Sequence, residues 1–67
     1  MSPKRTVERP RDVAKRLLVD GYAQRPGKGD HVNFVKPGAP IVTLDMGKRE
    51  IPIGTLRMIY RAAGWQW

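Results

Sequence analysis

Apolar residues recur at helical spacing near both ends of this chain and alternate with polar ones between them. Residues 10–20 read as a first helix, with Val13, Leu17 and Leu18 on one side and Lys15 and Arg16 on the other. Pro10 suits a first turn, where its missing N–H would have no partner. Asp12 favours the positive helix end, and Gly21 is placed to close the helix in a left-handed conformation. From Tyr22 the period drops to two: residues 22–25 predict a short strand, Pro26-Gly27-Lys28-Gly29 a reversal, and residues 30–36 a second strand. There Val32 and Phe34 alternate with His31, Asn33 and Val35, so a core beneath Val32 and Phe34 turns His31 and Asn33 to solvent. Pro37-Gly38-Ala39-Pro40 makes the next turn and the β-branched run Ile41-Val42-Thr43-Leu44 a third strand. Beyond a charged loop over 45–50, a second helix opens at Pro52 or Ile53 and ends near Ala63, with Gly64 as its stop. Leu56, Ile59, Tyr60 and Ala63 form its apolar face.

This order predicts an α+β fold, α-β-β-β-α, in which a three-stranded antiparallel sheet carries both helices on one face. Residues 10–67 form a single domain. Residues 1–9, with Lys4, Arg5, Arg9 and almost no apolar content, predict a flexible basic arm. A 67-residue chain buries only roughly 60% of the surface its unfolded state exposes, so a site on an open face is expected rather than a deep cavity. No apolar run approaches the roughly 18 residues of a membrane span, and no apolar stretch of a secretory signal follows the basic N-terminus. A soluble, cytoplasmic protein without membrane partners is expected.

Charge sharpens this picture. Thirteen Lys and Arg stand against six acids, a formal net charge of +7, which draws polyanions: nucleic acid first, with an anionic membrane or an acidic protein also admitted. The absence of cysteine excludes disulfides, thiolate nucleophiles and cysteine zinc sites. The six carboxylates show no metal-ligand spacing, and neither metal nor other cofactor is expected. His31 is the only side chain whose ordinary pKa, about 6.5, lies near neutrality. Cleaving RNA requires a base for the 2′-OH, an acid for the departing 5′-oxygen, and cations for the charge that develops on phosphorus. His31 is the candidate for the first role, with Lys28, Lys36, Lys48 and Arg49 as candidate phosphate contacts. Gly27-Lys28-Gly29 has neither the spacing nor the strand-to-helix setting of a nucleotide-binding loop. Asp30 receives no catalytic role, because neighbours along a strand point to opposite faces. Trp65 is expected to fold back on the core, and Lys15, Arg16, Arg57 and Arg61 to form a mostly solvated face.

Over residues 13–64 the chain resembles the HicA family of bacterial toxins. The likeness rests on Leu17-Leu18-Val19-Asp20-Gly21-Tyr22, on Gly29-Asp30-His31 where the family usually has Gly-Ser-His, and on Ile51-Pro52-Ile53-Gly54-Thr55-Leu56-Arg57-Met58-Ile59 closing with Ala62-Ala63-Gly64. The resemblance implies a fold like that of double-stranded RNA-binding domains and an mRNA-cleaving endoribonuclease with His31 as catalytic residue. It also implies a HicB-type antitoxin as partner, with DNA reached only through that antitoxin. Two positions depart from the pattern. Asp30 puts a negative charge where the family has serine, and Leu44-Asp45-Met46-Gly47 stands where the family often has a second histidine in a Pro-x-His run. His31 is thus the sole imidazole, and a two-histidine scheme is excluded.

Two other classes compete with this reading. A non-catalytic RNA-binding module of the same fold would retain RNA in a salt-dependent way and leave it uncut. A small DNA-binding regulator is disfavoured, because the whole sheet separates the two helices and neither has a helix-turn-helix partner.

Overall fold

The computed structural model of the chain describes residues 6–67. Its elements run α1 (Pro10–Val19), β1 (Ala23–Pro26), β2 (His31–Val35), β3 (Val42–Asp45) and α2 (Ile53–Ala63), an α-β-β-β-α fold with an antiparallel sheet in the order β1-β2-β3. Gly21 takes φ +97°, and the backbone N–H groups of Gly21 and Tyr22 turn back to the carbonyls of Leu18 and Leu17. The orphan carbonyls of the last turn of α1 are thereby satisfied. Strand β1 then begins at Ala23, one residue later than the period suggested, because Tyr22 is spent on that closure and buried in the core.

Register decides which strand residues face the helices. Phe34 pairs with Val42 and Val32 with Leu44, so one face of β2 and β3 is apolar. Val13, Ala14 and Leu17 of α1 and Leu56, Ile59 and Tyr60 of α2 pack on it in a single cluster with Tyr22, Phe34, Val42, Leu44 and Ile51. The opposite face carries Arg25, His31, Asn33, Thr43 and Asp45. Leu18 departs from its expected place. It is 47% exposed, whereas Ala14, one turn earlier on the same side of the helix, is buried.

The N-terminal arm is described only from Thr6, and residues 1–5 lie outside the described residues. Where it enters the domain the chain is pinned rather than free: Glu8 forms an antiparallel bridge with Ile51, whose N–H donates to the Glu8 carbonyl at 2.8 Å. The C-terminus is pinned too. Gly64 takes φ +74° and the Trp65 N–H bonds the Tyr60 carbonyl at 2.9 Å, which folds Trp65 back edge-to-face on Tyr60 with ring centroids 5.2 Å apart. Arg16, expected on a solvated face, lies over the Trp65 ring at 4.1 Å and donates to the Tyr60 hydroxyl at 3.0 Å. It joins α1 to α2 through stacking that no helical period reveals.

Candidate active site

His31 opens β2 at the end of the sheet where the β1–β2 turn and the β3–α2 loop meet, and it is exposed. The turn holds it closely. The Gly27 N–H donates to the His31 carbonyl at 3.0 Å, and a Cβ on Gly27 would lie 2.5 Å from that oxygen, so only glycine fits. Gly29 takes φ +61°, and the backbone N–H of His31 donates to the Lys28 carbonyl at 3.0 Å. The same carbonyl lies 3.1 Å from the imidazole Nδ1. A carbonyl only accepts, so Nδ1 carries the proton, and in the neutral ring the free lone pair belongs to Nε2.

Two hollows share His31 as a wall. One, of about 370 Å³, lies between β3, the following loop and the start of α2, with Thr43, Asp45, Lys48, Glu50 and Thr55 around it. The other, of about 360 Å³, runs along the β1–β2 turn past Gln24, Gly27 and Gly29. Both are open, which suits a chain-like ligand crossing the imidazole from one to the other.

The expected phosphate contacts divide. Lys28 sits in the turn on one side of His31 and Lys48 in the loop on the other, with Arg49 exposed beside Lys48. Lys36 follows the far end of β2. At about 3.3 Å per residue it stands some 16 Å along the chain from His31. There its ammonium is 3.4 Å from the Asp20 carboxylate and lies over the Tyr22 ring. Lys36 therefore belongs to the packing of the opposite end of the sheet.

Asp45 escaped the sequence reading because it was assigned to the loop. It is the last residue of β3 and the cross-strand partner of His31. The Met46 N–H bonds the Asp30 carbonyl at 2.9 Å, which makes His31 and Asp45 a non-hydrogen-bonded pair, the kind in which side chains stand closest. The Asp45 carboxylate accepts the Gly47 N–H at 3.0 Å. A signal for the pair was present in the chain: a hairpin turn centred on Gly38 places His31 and Asp45 equally far from it. Asp30 turns towards the other loop, where a Cβ on Gly47 would lie 2.5 Å from its Oδ2. Its side chain lies against Gly47, and its backbone carbonyl, which accepts the Met46 N–H, ties the two loops together. Pro52 caps α2 without a side-chain bond, and no acid lies in the first turn, so the positive end of that helix opens where Pro52 and Thr55 line the hollow. Asp45 and Glu50 oppose it, so this hollow has both signs of charge.

A model of the family described as HicA toxin of bacterial toxin-antitoxin matches residues 10–65, from the first residue of α1 to Trp65. The chain belongs to the HicA toxin family. No curated protein matches it. Membership supports a toxin role within a toxin–antitoxin pair. In this HicA chain the matched span contains both hollows, His31 and the two loops that meet there. Among the described residues no group of three His, Asp or Glu side chains is arranged to hold a metal ion, and no helix is long and apolar enough to cross a membrane.

Proposed function

We infer that this toxin is a cytoplasmic endoribonuclease that cuts mRNA without a metal ion, with His31 as general base and a HicB-type antitoxin as its inhibitor. The observation that carries the reading is the Nδ1 contact of His31 with the Lys28 carbonyl, which leaves Nε2 as the free acceptor at the junction of two open hollows. Nε2 takes the proton of a ribose 2′-OH, the oxygen attacks the adjacent phosphorus, and the 5′-oxygen leaves, protonated by the imidazolium or by water. The products are a 2′,3′-cyclic phosphate and a 5′-hydroxyl. Lys28 and Lys48, with Arg49 behind, hold the phosphate and its developing charge.

The test is to induce wild type and His31→Ala, follow growth and RNA integrity, and repeat the cleavage with purified protein in EDTA. Growth arrest and cyclic-phosphate ends are expected for wild type, unaffected by EDTA, with intact RNA for the variant. Cleavage by His31→Ala at the wild-type rate would defeat the mechanism. RNA held by both proteins in a salt-dependent way and cut by neither would favour the non-catalytic module, a reading to which the acids in the first hollow, Asp45 and Glu50, lend weight.

A further inference from the structure

The two edges of the sheet are protected differently. Strand β1 carries Arg25 and ends on Pro26, and both discourage a further strand from pairing there. Strand β3 is less protected: Asp45 closes it with a charge, but Val42 to Leu44, with Ile41 before them, is uncharged, free of proline and largely β-branched. Val42 and Leu44 direct their main-chain groups to β2, whereas those of Thr43 face away from the sheet and meet no partner among the described residues. Along this edge runs a groove between β3 and α2, with Val42 and Ile59 at its base. Ile41, 65% exposed, and Met58, 72% exposed, stand at its sides. The groove shares Thr43, Thr55 and Ile59 with the hollow that contains His31, so the two are continuous.

We propose that the open edge of β3 and this groove receive an extended segment of a partner protein that alternates acidic and apolar residues and adds to the sheet as a fourth strand. Main-chain bonds to Thr43 supply the register, and apolar side chains enter between Ile41 and Met58. Charge selects the partner. Helix α2 has Arg57 and Arg61 and no acid, and a second copy of a chain with net charge +7 would be repelled, whereas an acidic segment is attracted. Because groove and hollow are continuous, a strand seated there extends across the wall beside His31 and closes the site to RNA. That last step rests on the ribonuclease reading above; the docking itself does not.

The probe is a synthetic peptide of alternating glutamate and valine, compared with a copy N-methylated at alternate amides and a copy with lysine for glutamate, each added to the full chain and followed by amide NMR. The expected result is saturable shifts at Thr43 and Met58 and slowed exchange of the Thr43 amide, both absent with the two control peptides. Thr43→Pro, which removes an N–H that the sheet does not use, and Met58→Ser are each expected to weaken the peptide at least tenfold. Shifts confined to Lys28, His31 and Lys48, no binding at all, or self-association of the chain without peptide would each overturn the proposal. RNA cleavage provides the second readout. The peptide is expected to inhibit wild type and to spare Met58→Ser. Docking at Thr43 without inhibition would overturn the closure of the site, and docking on a chain inactive towards RNA would overturn the ribonuclease reading and leave the docking surface standing.

Discussion

The Tyr60 hydroxyl donates a hydrogen bond to the carboxylate of Glu8, a residue 52 positions earlier in the chain. With the Glu8–Ile51 bridge, it fastens the entry of the chain to α2 and to the segment just before it. Burial raises the Tyr60 pKa above the ordinary 10.0, the Glu8 hydrogen bond and charge raise it further, and Arg16 opposes them. The unfolded phenol ionises first, so the stability this group contributes is complete below pH 10 and is lost as pH rises from there through the folded value. Glu8→Gln is expected to lower the Tyr60 titration part of the way to 10, leaving the burial component, and to reduce stability by about 1–2 kcal/mol. An alkaline absorbance titration in a Tyr22→Phe background isolates the Tyr60 signal, and urea unfolding gives the stability.

Gly27 offers a test of how tightly the β1–β2 turn must hold the imidazole. A methyl group at this position overlaps the His31 carbonyl, so the backbone of His31 must move or the turn must open. Gly27→Ala is expected to cost about 1–3 kcal/mol, as other overpacked contacts do. On the proposed mechanism, displacing His31 is expected to lower RNA cleavage by tenfold or more, since misplacement on the order of 1 Å can cost a hundredfold. Kinetics and unfolding on one preparation separate the two effects. Full activity in a folded Gly27→Ala protein would show that the turn does not set the catalytic geometry.

The architecture was legible in the sequence because local signals agreed with one another: the helical stripe around Val13 and Leu17, the alternation about Phe34, and glycines at both helix ends. Position on the sheet was legible for His31 and not for Lys36. Alternation tells which face a residue takes, but not which end of the sheet a neighbouring turn occupies. Arg16 was misplaced for a related reason, while Trp65 folds back on the core as expected: their stacking depends on a chain reversal at Gly64 that brings residues 49 positions apart into contact. Asp45 was lost to a boundary error of one residue, because alternation tells which face a residue takes and not where the strand ends.

The division of the lysines predicts unequal effects on RNA. Lys48→Ala removes a cation beside the His31 hollow and is expected to raise KM several-fold and flatten the salt dependence of RNA binding by about one counterion. Lys36→Ala loses a half-exposed pair with Asp20, worth about 0–1 kcal/mol of stability, and is expected to leave cleavage within about twofold of wild type. Binding measured over a salt series decides it. A larger salt effect from Lys36 than from Lys48 would move the RNA path to the opposite end of the sheet.

Asp45 and His31 share a face and a cross-strand position, and the Asp45 carboxylate is committed to the Gly47 N–H. That bond separates two roles which substitution can distinguish. Asparagine keeps an oxygen for Gly47 and removes the charge, so Asp45→Asn is expected to hold the loop in place and tighten RNA binding. In a site open to solvent, one charge a few ångströms from a phosphate is worth about 1 kcal/mol, which limits the gain to about fivefold. Alanine removes the acceptor as well. Asp45→Ala is therefore expected to loosen the β3–α2 loop, seen as faster amide exchange at Gly47 and Lys48, and to lose the gain in affinity because Lys48 is no longer held beside the hollow. If kcat instead collapses in Asp45→Asn while RNA binding tightens as expected, the carboxylate works with His31 in the proton transfers, and the acid missing from the one-histidine scheme lies directly across the strand from the base.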